Sequence, residues 1–217
     1  MVSECCLGPG VQRELFNKGS EMPRLSSIDE LRDLRSMVVG DTDEGKPRIV
    51  VCAGTACQAS GSNDILRAAK KYLIDKGLIE RLSLRITGCH GFCEMGPFIL
   101  TEPQNAFYAR VGIRDVPRII EAVLAGDYVE DLLYRDPVTG EKFYRCDDIP
   151  FFKNQQRALL KMNQKVDPIR IHNYISQGGY QALEDVLSRE SPNWVVHEVK
   201  RSELRGRGGA GFPTGLK

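Results

Sequence analysis

Four cysteines in two pairs carry the clearest chemical signal in this sequence. Cys52 and Cys57 have the spacing C-x4-C, Cys89 and Cys93 have the spacing C-x3-C, and 31 residues separate the pairs. Each pair follows a short apolar run rich in β-branched residues, which predicts that both pairs lie at strand ends. A [2Fe–2S] cluster needs two sulfurs for each iron, so two pairs at neighbouring strand ends predict such a cluster.

Other uses of these thiols fit the spacing to different degrees. Structural zinc commonly uses C-x2–4-C pairs, so a zinc-stabilised interaction module without a redox role stays open, as do plain reduced thiols. A disulfide framework is disfavoured because no secretory signal precedes the domain. Thioredoxin-type catalysis requires C-x-x-C, and a Rieske centre requires two histidines, whereas only His90 lies near the pairs.

The apolar pattern around the cysteines predicts a small α/β domain in the order β-α-β-β-β-α. The first cysteine pair is expected on the loop that follows the first strand, and Asp167 is expected to cap a later helix that has Pro168 at its first position. The expected strands are 48–52, 82–87, 98–101 and 106–111, and the expected helices are at about 62–77 and 116–124.

Composition narrows the range of functions. The chain has 217 residues, 41% of them hydrophobic, and a net charge of +1, which gives no reason to expect binding to nucleic acid or to an anionic membrane. No apolar run approaches the roughly 20 residues that a transmembrane helix needs. The first residues lack the basic and then apolar character of a secretory signal. We therefore expect a cytoplasmic protein without direct membrane insertion.

Three further cysteines lack the spacing of metal ligands. Cys5 and Cys6 are adjacent in a polar leader, and Cys146 is isolated. Neighbouring residues cannot easily chelate one metal together, and a lone cysteine more often packs as a small hydrophobic side chain. All three are left without a function.

The last residues form a second signal, a loop rich in glycine and arginine. Glycine lets backbone N–H groups approach a ligand, and successive N–H groups of this kind bind phosphate. The spacing matches the dinucleotide fingerprint G-x-G-x-x-G at 206–211, but no acidic residue follows about 20 positions later, so the match is weak. The simpler alternative is a flexible tail. The glycines of this loop are Gly206, Gly208, Gly209, Gly211 and Gly215, and the flanking cations are Arg205, Arg207 and Lys217.

With its two cysteine pairs and its glycine-rich loop, the chain resembles the NADH-binding flavoprotein subunit of respiratory complex I and of related NAD(P)-linked hydrogenases. The likeness is greatest to the hydrogenase type, which has a thioredoxin-like [2Fe–2S] ferredoxin domain at its front. The motifs that carry the resemblance are CAGTAC at 52–57, TGCHGFC at 87–93, DPVTGEK at 136–142, IPFF at 149–152 and LRGRGGAGFPTGLK at 204–217.

The resemblance implies roles for the two signals. Cys52, Cys57, Cys89 and Cys93 would bind the [2Fe–2S] cluster, and Phe212 would contact the nicotinamide dinucleotide. It also implies a [4Fe–4S] cluster beyond the last residue, and other subunits of an NADH dehydrogenase or hydrogenase as partners. No catalytic residue is assigned within this chain. The residues that would contribute to the FMN site are Gly206, Arg207, Gly208, Gly209, Gly211 and Lys217.

The expected fold class is α/β, with a thioredoxin-like ferredoxin domain followed by the helical start of an α/β flavoprotein domain. We expect a partly disordered leader at 1–45, the [2Fe–2S] domain at 46–133, a linker at 134–165 that packs onto a neighbouring surface, and an incomplete FMN- and NADH-binding domain at 166–217. The chain alone is expected to be inactive as an enzyme. A free-standing [2Fe–2S] ferredoxin is the alternative within the redox class.

Overall fold

A computed structural model describes residues 24–40 and 45–217, which form two units. Residues 45–177 belong to one unit, and residues 24–40 and 178–217 belong to the other. Cys5 and Cys6 lie outside the described residues, as does most of the predicted leader. The helices and strands are α1 (Ile28–Gly40), β1 (Arg48–Cys52), α2 (Thr55–Ala59), α3 (Ser62–Asp75), β2 (Ser83–Thr87), β3 (Ile99–Glu102), β4 (Phe107–Tyr108), α4 (Val116–Ala125), α5 (Pro150–Lys153), α6 (Ile171–Ser176), α7 (Gln181–Arg189) and α8 (Pro192–Arg201).

A four-stranded sheet in the order β2-β1-β3-β4 organises the first unit. Strands β1 and β2 are parallel, with Cys52 opposite Thr87, while β1 pairs with β3 and β3 with β4 in the antiparallel sense. Since β1 and β2 run in the same direction, the segments that follow them leave from the same edge of the sheet. This edge is where the sequence predicts the two cysteine pairs.

Each face of the sheet is covered by a different apolar cluster. Alternate strand residues point to opposite faces, so Ile49 and Val51 pack with α3 and α4, while Cys52 and Phe107 belong to an aromatic cluster. Strand β1 is consequently buried from Ile49 through Cys52. The near-continuous apolar run RIVVC is typical of a strand that is covered on both faces.

Three details of the first unit differ from the sequence predictions. The strand expected at 106–111 spans only Phe107–Tyr108. Cys57 lies on the short helix α2, whereas the sequence predicted a loop. Helix α6 begins at Ile171 with Arg170 as its cap, so Asp167 is not the N-cap residue. Asp167 is instead buried, where its carboxylate accepts a hydrogen bond from the Ile169 N–H and pairs with Arg170 at 3.3 Å.

The first unit extends beyond the predicted boundary at residue 133. Residues 134–165 pack within it, and Tyr134, Cys146 and Ile149 are buried in the aromatic cluster. Cys146 is thus a small core residue, as expected for an isolated cysteine, and burial raises the pKa of its thiol to about 12. Helix α6 belongs to the same unit, and its Ile175 is 2% exposed.

In the second unit, an ion-pair cluster joins α1 to α7. The Glu184 side chain is only 6% exposed and accepts hydrogen bonds from Arg32 Nε at 2.6 Å and Arg35 Nη1 at 3.0 Å. Arg35 also donates to the Gly179 carbonyl at 3.2 Å. Ser27 precedes helix α1, and its Oγ accepts a hydrogen bond from the Glu30 N–H at 3.1 Å.

None of the helices in residues 24–40 and 45–217 combines the length and the apolar character needed to cross a lipid bilayer.

Because of the ion pairs of Glu184, we expect the stability of the second unit to fall in acid. Hydrogen bonds from Arg32 and Arg35 hold the pKa of the Glu184 carboxyl below its usual 4.5. A lowered pKa stabilises the fold above the unfolded-state pKa, and this stability is lost as the pH falls through the folded-state pKa. Glu184→Gln should therefore lower the urea midpoint at pH 7, and the two proteins should converge under acid.

The fluorescence of Trp194, the single tryptophan of the chain, reports on this unit because the residue lies on α8. Asp185→Asn, at the adjacent exposed position, is the matched control and should behave as the wild type at both pH values. A difference between wild type and Glu184→Gln that is as large at pH 3 as at pH 7 would contradict the ion-pair explanation.

Candidate metal centre

The four predicted ligand cysteines lie in segments that leave the same edge of the sheet. Cys52 is the last residue of β1 and Cys57 follows on α2, while Cys89 and Cys93 flank the loop that follows β2. The backbone joins the two connections directly, because the Ala53 N–H donates to the Thr87 carbonyl at 2.8 Å. The parallel pairing of β1 with β2 therefore brings the two sequence-distant pairs together.

The thiols are close enough to influence one another. The Cys89 and Cys93 sulfurs are 3.5 Å apart. Burial raises the pKa of the Cys57 thiol to about 12, and a hydrogen bond with Cys52 and the nearby Cys93 and Cys89 thiols act in the same direction. The pKa of Cys93 is also raised, chiefly by its hydrogen bond with Cys89. Any metal that binds here must displace these protons, because the thiolate is the ligand.

Two glycines leave the space that this arrangement requires. A Cβ on Gly54 would lie 2.9 Å from the Cys89 Cβ and 3.1 Å from the Cys89 Cα. A Cβ on Gly96 would lie 2.9 Å from the Cys57 sulfur. Gly54 belongs to the first cysteine segment and Cys89 to the second, so any side chain at position 54 would push the two pairs apart.

Backbone groups contact the sulfurs directly. The Gly91 N–H donates to the Cys89 sulfur at 3.2 Å, and the Cys52 thiol donates to the Gly88 carbonyl at 3.4 Å. Hydrogen bonds to cysteine sulfurs are one of the factors that set the reduction potential of iron–sulfur sites. The loop of residues 88–91 is therefore part of the candidate centre.

The donor set fits two irons that each take two sulfurs. Within the described residues, no group of three or more His, Cys, Asp or Glu side chains is arranged to hold one metal ion. A [2Fe–2S] cluster does not need such a group, since its four thiolate ligands would be divided between two irons. The residues present, four free cysteines beside two glycines that leave room, are compatible with that cluster.

His90 is a core residue. Its ring is 1% exposed, its Nε2 lies 2.7 Å from Thr87 Oγ1, and it contacts the Phe98 ring edge-on at 5.1 Å. Burial lowers the pKa of His90 to about 4, and the charges of Arg157 and Arg85 act in the same direction. The imidazole is therefore neutral at physiological pH and engaged with Thr87.

A contribution from residues 150–163 was not predicted from the sequence. Phe151 stacks on Phe92 with ring centroids 4.2 Å apart and an interplanar angle of 8°. Arg157 donates a hydrogen bond to the His90 carbonyl, and Asn163 lies 3.5 Å from the Cys89 carbonyl. The aromatic run at 149–152 indicated a packing segment, but no sequence spacing links Arg157 or Asn163 to the cysteines.

The glycine-rich loop belongs to the second unit and folds back on itself. The Gly206 N–H donates to the Phe212 carbonyl at 2.9 Å, and the Thr214 N–H donates to the Leu204 carbonyl at 2.8 Å. Gly209 and Gly211 have φ values of 89° and 60°, which favour glycine. The predicted residues of this site are thus brought together on one loop.

Side chains of the loop are largely open to solvent. Phe212 is 55% exposed, and Arg207, Gly208 and Lys217 are exposed as well. Arg207 donates to the Arg205 carbonyl at 2.9 Å. Gly215 is needed for packing, because a Cβ there would lie 2.7 Å from the Lys200 backbone.

Part of the chain matches a known family. Residues 38–124 match the family described as thioredoxin-like [2Fe–2S] ferredoxin, a range that contains all four cysteines and the complete sheet. A crystal structure of the thioredoxin-like [2Fe–2S] ferredoxin from Aquifex aeolicus is 27% identical and covers 42% of this chain and 98% of its own, with a TM-score of 0.38.

Curated relatives match a shorter stretch. The chain is 51% identical over 65 residues to the HndC subunit of the NADP-reducing hydrogenase of Solidesulfovibrio fructosivorans, which covers 30% of this chain and 13% of the relative. It is 52% identical over 59 residues to a subunit of the NADH-quinone oxidoreductase of Aquifex aeolicus, covering 27% of this chain and 14% of the relative. The aligned part is therefore a small fraction of each relative's length.

The family match and the curated relatives confirm the predicted resemblance, and the family match confirms the thioredoxin-like fold class. The chain contains a thioredoxin-like [2Fe–2S] ferredoxin domain, matched over residues 38–124, and its homologues are subunits of NADP-reducing hydrogenase and NADH-quinone oxidoreductase.

Proposed function

We propose that Cys52, Cys57, Cys89 and Cys93 hold one [2Fe–2S] cluster and that the first unit relays single electrons. The observation that carries this proposal is the meeting of both cysteine pairs at one sheet edge, where Gly54 and Gly96 leave room for them. When bound, such a cluster takes up and releases one electron at a time.

The surrounding residues protect and orient the thiolates. Cys52 and Cys57 are each 1% exposed, while Cys89 and Cys93 are partly exposed. The first pair thus faces the apolar interior, and the second pair lies nearer to solvent. An electron that enters or leaves through the second pair travels the shorter path to the protein surface.

We further propose that the chain is a subunit of an oxidoreductase, either a hydrogenase or an NADH dehydrogenase. Its partners would be the other subunits of that enzyme. The names of the relatives, which are subunits of an NADP-reducing hydrogenase and of NADH-quinone oxidoreductases, support this assignment. FMN and NAD(P), together with iron–sulfur clusters that include a [4Fe–4S] cluster, would supply such an enzyme with the conversion of hydride transfer into single-electron transfer.

The glycine-rich loop is proposed to bind the phosphate of FMN. Gly206 and Gly211 shape the loop, through a hydrogen bond to the Phe212 carbonyl and a positive φ respectively. Gly208 and Gly209 are exposed, so a phosphate can approach their backbone N–H groups, and Arg207 and Lys217 supply positive charge for it. Phe212 is exposed and planar, so it can stack against the nicotinamide dinucleotide.

Cysteine substitution tests the cluster assignment. Because thiolate ligation is coupled to folding, Cys→Ala at position 52, 57, 89 or 93 should abolish the visible absorption and destabilise the first unit. The matched control replaces Cys5, Cys6 and Cys146 together with serine and should leave the spectrum unchanged. Stoichiometric zinc, with iron and acid-labile sulfide near zero, would favour the zinc-stabilised module instead.

Gly54→Ala tests the steric arrangement. Gly54 has φ −61° and ψ 152°, which alanine adopts readily, so the only new demand is space for a Cβ beside Cys89. We expect at least a several-fold loss of iron and sulfide per chain. Gly45→Ala, where nothing lies within 4 Å of the new Cβ, is the control. Full cluster content in Gly54→Ala would show that the cysteine segments can separate freely.

Lys217→Ala, in protein purified from its natural source, tests the proposed FMN site. Removal of a charge-assisted contact to phosphate should weaken FMN binding by about 1.5–3 kcal/mol. Flavin fluorescence quenching measures this change, and Lys161→Ala, in the first unit, is the control. For the 217-residue chain alone we expect weak or no FMN binding. Ordering the glycine-rich loop around FMN costs free energy, and this cost reduces the net affinity.

A further inference from the structure

Residues 150–163, here called the covering segment, lie against the loop that holds the second cysteine pair. Helix α5 begins the segment, and its Phe151 and Phe152 contact Phe92 at centroid distances of 4.2 and 5.5 Å. Phe92 precedes Cys93 directly. The covering segment lies outside the range of 38–124 that matches the ferredoxin family.

Arg157 contacts the centre of the cysteine loop. Its guanidinium donates a hydrogen bond to the carbonyl of His90, the residue that follows Cys89. A Cβ on Gly91 would lie 3.5 Å from Arg157 Nη2, so the guanidinium passes directly over this glycine. The same group lies 5.9 Å from the centroid of the Phe152 ring, which helps to fix its position.

Asn163 provides a second contact from the covering segment. Its Nδ2 lies 3.5 Å from the carbonyl of Cys89, at the outer limit of a hydrogen bond. Its Cβ and Cγ would each lie 3.4 Å from a Cβ on Gly88. Contacts at positions 88, 89, 90 and 91 therefore hold the backbone whose N–H at Gly91 donates to the Cys89 sulfur.

Arg157 and Arg85 both act on His90 through their positive charges, but they differ in their ion-pair partners. Arg85 forms an ion pair with Glu102, a carboxylate that also pairs with Arg48. In the ranges that the structure describes, Arg157 forms no ion pair, and a guanidinium is charged at every physiological pH. The Arg157 side chain is also partly buried, and charges interact more strongly in such surroundings than in bulk solvent.

We propose that Arg157 is a positioning residue that raises the reduction potential of the cluster held by the four cysteines. Reduction by one electron, without a proton, adds one negative charge to the site, and an uncompensated guanidinium beside the cysteine loop stabilises that charge. The hydrogen bond to His90 also keeps the Gly91 N–H aimed at the Cys89 sulfur. This inference rests on the proposed [2Fe–2S] function.

A potentiometric titration of Arg157→Gln, with dithionite as electron donor, tests the proposal. At a fixed ambient potential, the ratio of reduced to oxidised protein should fall about tenfold, which corresponds to about 59 mV for one electron. Arg157→Lys keeps the charge and should remain close to the wild type. Arg81→Gln is the control, because Arg81 is exposed and precedes β2 at the strand end opposite the cysteines.

Iron and sulfide content, measured first on the wild type, distinguishes failure of the proposed [2Fe–2S] function from failure of the proposed role of Arg157. A wild-type protein without iron and sulfide contradicts the proposed function itself. A fully loaded Arg157→Gln protein with an unchanged potential overturns only the role of Arg157. If Arg157→Gln loses its cluster, the reduction potentials of two other variants are compared, one with lysine and one with N-acetyllysine at position 157. These two side chains differ chiefly in charge. Equal potentials in that pair would also overturn the proposal.

Discussion

The parallel pairing of β1 with β2 is the constraint on which the rest of the candidate centre depends. It places Cys52 opposite Thr87, so that the chain segments after both strands leave the sheet at one edge. An antiparallel pairing would send the two cysteine pairs to opposite ends. Helices α3 and α4, through their contacts with Ile49 and Val51, keep β1 in the middle of the sheet and thereby maintain this register.

The individual strands and helices of the first unit could be predicted from the sequence because they depend on short-range patterns. Strand β1 was predicted at its observed bounds, and α3 and α4 were predicted within a few residues, since periodicity and glycine stops act locally. Cys57 was expected on a loop because a five-residue helix leaves almost no periodic signal. Asp167 was interpreted as a helix cap, but its carboxylate is buried beside Arg170, a tertiary effect that local capping rules do not register.

The contacts that surround the cysteines were less predictable because they link distant positions. Gly54 is required by Cys89, 35 positions later, and nothing in either segment encodes that approach. Arg157 reaches the His90 carbonyl across a sequence separation of 67. Residues 134–165 were expected to pack onto a neighbouring surface, and they do so within the first unit, yet the identity of that surface became evident only from the stacking of Phe151 on Phe92.

The aromatic contacts and the arginine contact of the covering segment have separable physical effects. Stacking of Phe151 and Phe152 on Phe92 removes apolar surface from water, an effect that is insensitive to charge. The guanidinium of Arg157 acts on the same loop through charge and one hydrogen bond. Packing can therefore hold the loop in place while the arginine adjusts its electrostatics. A segment outside the ferredoxin domain can in this way change the energy of an electron on the centre without changing the cysteines that hold it.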